Sequence, residues 1–342
     1  MTDAADAEPM RDPTLAEKVR FLAGPAAYPD RPRRVRVVET HMSFVFLAGR
    51  LVYKLKKPVV FPYLDFSTPS ARRRFVGEEL RLNRRLAPDV YLGEAILRLS
   101  ETGSLTLDGA GRAVDWLVMM RRLPHRRMLD AMLKRGAATP EAIGRVGDAL
   151  AGFYGSLPPE PIPVEAYLGR LAREHAETAD TLREPAFGLT AAEAEEALRS
   201  FDARLALARS AIESRVREGR IVEGHGDLRP EHVCMTDPVA IIDRLEFDRA
   251  LRLVDPFEEV AFLGLECARL GAPWAHAVLT GRVAAGLGAA PTEAVAAFHW
   301  TNRALLRARL ALAHLREPHP RTPRKWRPLA RRYLALAQAG PP

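Results

Sequence analysis

Between Val35 and Leu55 the apolar residues come in short alternating runs, VRVVE, SFVFLAG and RLVYKL, separated by the turn-like stretches THM and AGR. A period of two interrupted in this way predicts three antiparallel strands. From Ser70 to Leu86 the period changes: Phe75, Glu79, Leu82 and Leu86 fall on one helical face, so a helix follows the sheet. Two more strand patterns, AILRLS and SLTLDG, flank a turn at Glu101 to Gly103, and VDWLVMMRRL from Val114 to Leu123 reads as a last strand running into a connector.

Beyond Pro124 the pattern is almost entirely helical. Thr139 followed by Pro140 starts a helix whose buried face is Ile143, Val146, Leu150 and Phe153. Thr190 with Glu193 matches a capping box and opens a long helix through Leu198, Phe201, Leu205, Ile212 and Val216, ending near Gly219. The polarity then breaks into IVEGHGDLRPEHVCMTDPVAIIDRLEF, short apolar pieces around a polar loop. Asp255, ahead of PFEEVAFL, reads as the N-cap from which helices resume to the end. The expected fold class is α+β. Residues 1–34 read as a loose N-terminal extension, 35–123 as a mainly antiparallel N-lobe with one helix, and 124–342 as a mostly helical C-lobe carrying a catalytic loop at 223–247.

Composition narrows this picture only a little. With 342 residues, 47% hydrophobic and 27% charged, the chain is long enough for two lobes and is not of disordered composition. Cys234 and Cys267 stand far apart with no CxxC pair, so no disulfide framework or cysteine zinc site is expected, and a reducing cytoplasm fits. The acidic, proline-bearing start does not resemble a signal peptide, and no run is long enough to cross a bilayer, so no membrane partner is expected. The net charge of +8 is spread over nearly every helix, which argues against a nucleic-acid partner. The exception is Arg321 to Arg332, RTPRKWRPLARR, where basic residues surround Trp326: a polyanion patch or a solvated helix start.

The chemistry-bearing residues sit in the loop and on the sheet. In HGDLRPEH, Asp227 lies in a turn behind a glycine, and Asp243 ends the apolar stretch VAII sixteen positions later. Two carboxylates on the two sides of a short hairpin can converge. Phosphoryl transfer needs one carboxylate to orient the acceptor hydroxyl and another to hold magnesium against the phosphates. Positive charge would come from Lys54 in VYKL, which points to the face opposite Tyr53 and Leu55. Glu79, facing inward from the helix, is costly unless paired, and a Lys54–Glu79 ion pair satisfies both. Lys56 shares the face of Lys54 and is its alternative, as Glu78 is for Glu79. Arg229 is a candidate for meeting a substrate anion. His225 reads as a residue pinning the loop, and His232 as either a metal ligand or a loop support.

The ordered set of VYK on a strand, an inward Glu on the next helix, HGDxxxxH and IID resembles the aminoglycoside phosphotransferase family, relatives of the protein kinases. ETHMSFVFLAGRLVYKLKKPV, FSTPSARRRFVGEELRLNRRLAPDVYLG and IIDRLEFDRALRLVDPFEEVAFL are more narrowly similar to an uncharacterised bacterial branch of it, some members of which carry a fused P-loop kinase domain. The resemblance runs from about Val35 to about Leu315. It implies a two-lobed kinase-like fold holding ATP, or GTP, with Mg2+ in the cleft between lobes, and transfer of the terminal phosphoryl group to a hydroxyl of a small molecule; direct transfer is expected because no candidate nucleophile stands beside the two aspartates. By position it implies that Lys54 contacts the phosphates, Glu79 orients Lys54, Asp227 is the catalytic base and Asp243 binds magnesium. The backbone of Met119, Met120 and Arg121 would meet the purine, and Ser43 would touch phosphate. His232 stands where the family usually has an Asn as second metal ligand. There is no GxGxxG, and no GxxxxGK[ST] occurs anywhere. His232 motivates the alternative of a pseudokinase or nucleotide-sensing scaffold without turnover. A metal-dependent hydrolase built on His225, Asp227 and His232 is a more distant rival.

Overall fold

Thr14 accepts a hydrogen bond from the Glu17 N–H while the Glu17 carboxylate accepts from the Thr14 N–H, a reciprocal cap that starts helix α1, Leu15–Ala23. This computed structural model describes residues 11–61, 64–317 and 322–342. The stretch read as a loose extension therefore contains a helix, and its Leu22, with Ala27 and Tyr28 just after it, is buried in the core of the sheet. The chain forms two compact units. The first takes in the described residues up to Pro124 together with Ala240–Asp248, and the second His125–Val239 with Arg249–Pro342.

In the first unit the three expected strands are β1 (Val35–Glu39), β2 (Ser43–Ala48) and β3 (Leu51–Lys56). Two-residue strands β4 (Val60–Phe61) and β5 (Leu64–Asp65) precede helix α2 (Pro69–Asn83). Strands β6 (Tyr91–Leu99), β7 (Leu105–Leu107) and β8 (Arg112–Arg121) follow. The six-stranded sheet has the order β1-β2-β3-β8-β6-β7, with every pair antiparallel, so β8 is inserted between β3 and β6. Tyr53 and Leu55 of β3 enter the core shared with Leu22, Phe46, Leu97 and Leu117. By the period of two, Lys54 and Lys56 take the opposite face.

One charged group ties this unit together from within. Asp115 of β8, 1% exposed, accepts from Lys18 Nζ of α1 at 2.8 Å and takes both arms of Arg72 of α2, Nε at 2.9 Å and an outer nitrogen at 2.8 Å. The remaining Arg72 nitrogen donates to the carbonyls of Phe66 and Ser67, so the guanidinium also fixes the approach to α2.

The second unit is helical apart from two-residue strands. It comprises α3 (Leu129–Lys134), α4 (Pro140–Gly155), α5 (Val164–Leu182), α6 (Ala191–Arg217), α7 (Pro256–Arg269), α8 (Trp274–Leu287), α9 (Glu293–Ala313) and α10 (Pro323–Ala339). Thr139 and Thr190 cap α4 and α6 as the sequence signals require, and Asp255 caps α7 by accepting from the Phe257 N–H. Tyr167, Phe201, Phe298, Trp300 and Tyr333 fill a core among α5, α6, α9 and α10. Of the basic segment Arg321 to Arg332, Arg321 lies outside the described residues. The rest begins α10, where Trp326 stacks on His314 at 3.9 Å. Among the described residues no helix is long and apolar enough to cross a membrane.

Candidate active site

The first unit brings Lys54, Glu79 and Asp243 together. Lys54 Nζ donates to Glu79 Oε1 at 2.9 Å and to Asp243 Oδ1 at 2.8 Å. Glu79 is fully buried, and its other oxygen accepts from Lys56 Nζ at 2.6 Å. Lys56 in turn pairs with Glu246 and lies 5.0 Å from the Phe66 ring centroid. The two lysines that the sequence left as alternatives thus share one carboxylate, one on each oxygen. Burial raises the Glu79 pKa, but the two ammonium groups outweigh it and hold the carboxyl below its usual range. Burial likewise lowers the Lys54 pKa, and Asp243 and Glu79 reverse this, so the ammonium stays charged. Glu78, the alternative to Glu79, pairs with Arg81 at the surface.

Helix α2 and the start of β6 also place Asp243 itself. Its backbone is left-handed, at φ 62°, a conformation that costs a non-glycine residue energy unless its surroundings impose it. They do: the Asp243 N–H donates to the Tyr91 hydroxyl at 2.9 Å, and Asn83 Oδ1 accepts from the Arg244 N–H at 2.8 Å. Asn83 follows Glu79 by one helical turn and also donates to the Glu79 carbonyl at 2.9 Å. This corrects the placing of 223–247 in one helical lobe, since Ala240–Asp248 clusters with the sheet. Asn83, Tyr91 and Glu246 give the sequence no signal of their role beyond polar atoms in apolar surroundings.

Asp227 belongs to the second unit. The turn before it requires glycine at Gly224, where a Cβ would lie 2.6 Å from Glu259 Oε2 and from Val254. The fully buried Glu259 accepts from the N–H groups of His225 and Gly226 and from the Tyr154 hydroxyl, at 2.7 Å. Burial raises its pKa further than these donors lower it. The Asp227 N–H donates to His225 Nδ1 at 3.2 Å, so His225 does pin the loop. Asp227 Oδ2 lies 2.8 Å from an outer nitrogen of Arg229, which also donates to Glu231 at 2.7 Å. Burial raises the Asp227 pKa, but the Arg229 charge, helped by Arg307, brings it below the usual carboxyl value.

His232 is occupied on both sides. Its Nδ1 is 2.8 Å from the Asp227 carbonyl, which can only accept, so the proton is on Nδ1. Nε2 then accepts from Arg229 at 3.3 Å. The lone pair a metal ion would need already faces a guanidinium.

The remaining expected residues are placed elsewhere on the sheet. Ser43 is 1% exposed, opposite Lys56 in the β2–β3 register, and its carbonyl closes the turn with the Thr40 N–H at 2.8 Å. Met119 and Met120 pair with Tyr53 and Val52 inside the ladder, and the Arg121 N–H donates to the Val90 carbonyl at 2.8 Å. Burial pushes the Cys234 thiol up to about 11, and Cys267 is pushed up as well, in keeping with inert cysteines.

The shared carboxylate makes Lys56 testable. Lys56→Met leaves Glu246 without its ammonium and Glu79 with only Lys54, and is expected to cost about 3 kcal/mol, the lower end for a broken buried pair. Urea denaturation measures it, and an unchanged midpoint would show that the pair contributes nothing.

No model of a protein family matches the chain. An uncharacterized protein of Mycobacterium tuberculosis strain H37Rv is 31% identical over 240 residues, covering 69% of this chain and 46% of that protein. An uncharacterized protein of Mycobacterium bovis matches to the same extent. The chain thus spans about half the length of these curated relatives. Among solved structures, a choline/ethanolamine kinase family protein from Mesorhizobium loti has a TM-score of 0.54 at 16% identity, covering 95% of this chain and 94% of its own. A choline kinase from Cryptosporidium parvum has a TM-score of 0.57 at 8% identity, covering 94% of each. At such identities the likeness is one of fold, and the fold is the kinase-like one expected from the sequence.

Proposed function

We propose that this chain, built on the kinase-like fold, moves the terminal phosphoryl group of ATP, or of GTP, to a hydroxyl of a small molecule. The observation that carries the reading is the Lys54 ammonium held between Glu79 and Asp243. Lys56 remains on Glu79 when Lys54 turns to a phosphate, so the buried carboxylate is never left without a cation. The acceptor oxygen bonds to the γ-phosphorus as the bond to the bridging oxygen breaks. The electron pair leaves with the nucleoside diphosphate, and the hydroxyl proton departs by way of Asp227.

Magnesium prefers oxygen ligands, and the part-exposed Asp243 carboxylate fits it, whereas His232, with both ring nitrogens engaged, does not. Asp243 is the residue that would hold the ion, which supplies positive charge to the donor phosphates when bound. Calorimetric titration with ATP and GTP tests the reading. Lys54→Met is expected to weaken nucleotide binding about 10- to 100-fold, the worth of a charge-assisted hydrogen bond. A wild-type chain that binds neither nucleotide, with or without magnesium, ends it. The occupied ring of His232 favours the second reading, a nucleotide-sensing scaffold, and binding with no transfer across a broad panel of hydroxyl acceptors would establish that instead.

A further inference from the structure

Asp227 does not stand alone among arginines. Arg229 is committed to Asp227, Glu231 and His232, which leaves it little to offer a ligand. Two other arginines are tethered differently. Arg307 of α9 and Arg269 of α7 each give only Nε to the single buried carboxylate of Glu266, at 2.8 and 2.6 Å, and the Tyr333 hydroxyl donates to the same carboxylate at 2.6 Å. The Arg307 guanidinium carbon lies 5.5 Å from the Tyr333 ring centroid and 5.8 Å from that of Phe262. Its side chain is 18% exposed, and among the described residues its two outer nitrogens carry no hydrogen bond and are not sealed from solvent. Helix α7, which anchors it, packs on the Pro230–His232 turn of the Asp227 loop. The Arg307 charge acts on both Asp227 and Arg229, and that of Glu231 on Arg269.

A guanidinium already stripped of most of its water, fixed by Nε and two rings, and open at its planar fork is suited to a phosphate or carboxylate. It is the wrong surface for a quaternary amine. We propose that Arg307 is an acceptor-binding residue, and that the hydroxyl compound phosphorylated here carries an anionic group held by the outer nitrogens of Arg307 beside Asp227. This rests on the phosphotransferase reading and adds to it a substrate class unlike that named by the choline kinases of the same fold.

The test is calorimetry on the full chain with glycerol 3-phosphate, glycerate and choline, each with and without saturating ADP and magnesium, in wild type, Arg307→Lys and Arg307→Gln. Glycerol 3-phosphate or glycerate is expected to bind wild type, and which of the two does so separates a phosphate from a carboxylate group. The affinity should fall at least tenfold in Arg307→Gln and less in Arg307→Lys, which keeps the charge without the fork, while ADP affinity is unchanged. Choline binding more tightly than both anions, neither anion binding wild type, or equal affinity in the variants overturns the proposal. Should Arg307→Gln melt below the assay temperature, Arg307→Lys decides: wild-type affinity there removes the fork from recognition. Loss of ADP binding by wild type would sink the phosphotransferase reading separately, since the anion titrations without nucleotide still report on Arg307.

Discussion

Asp227→Asn is expected to leave nucleotide affinity within about twofold and to lower phosphoryl transfer by roughly 10²–10⁴-fold, the usual contribution of a positioned acid–base group. Asparagine keeps the shape and can still accept from Arg229, but it cannot take a proton from the acceptor hydroxyl. The lower end of that range is the better expectation. Arg229 and its neighbours hold the Asp227 carboxyl below its ordinary value of 3.8, which makes it a weak base whose main contribution is to align the hydroxyl. The sign follows for pH. A carboxylate with a lowered pKa remains ionised above about pH 4, so any acid limb of the wild-type rate above that value belongs to another group. Single-turnover assays with labelled nucleotide measure both effects, and turnover unchanged in Asp227→Asn would remove the residue from the mechanism.

The elements that sequence reading located share one property: their signals are local. Alternation marked β1 to β3, and Thr139, Thr190 and Asp255 announced their helices because capping is decided within three residues. Helix α1 carries the same kind of signal in Thr14 and Glu17, but an acidic start with prolines on either side masks it. The Lys54–Glu79 pair was legible because a carboxylate on an apolar helical face must find a cation. That argument could not say that Lys56 would take the second oxygen, because the choice depends on Glu246, whose segment returns to the sheet from 190 residues away.

The acidic residues of α7 make the same point more sharply. PFEEVAFLGLEC follows the Asp255 cap as a helix, and the sequence pattern gives its Glu258, Glu259 and Glu266 no role. All three are buried. Glu258 meets Arg303 at 2.9 Å, Glu259 holds the N–H groups of the Asp227 loop, and Glu266 anchors Arg269 and Arg307. A helix buried nearly end to end must offer each carboxylate a partner from another element, and those partners come from α4, α5, α9, α10 and the loop. Two adjacent glutamates inside an otherwise apolar run are the one sequence sign that such partners exist.

The largest loss of stability is expected at a residue with no place in the chemistry. Asp115→Ala should destabilise the chain by about 5 kcal/mol, the upper end for a broken buried ion pair, because it strands two cations, Lys18 and Arg72, where the others strand one. That is comparable to the whole stability of a marginal domain, so the sheet and the Lys54 site upon it should be lost together. Asp115→Asn retains one acceptor and should cost less. Lys18→Met should cost less again, since the two-armed Arg72–Asp115 pair survives it. Urea denaturation followed by far-UV circular dichroism gives the order. If the cause is stranded charge rather than lost packing, replacing Lys18, Arg72 and Asp115 together by apolar residues of similar volume should recover most of the loss. A triple variant no more stable than Asp115→Ala would assign the effect to shape.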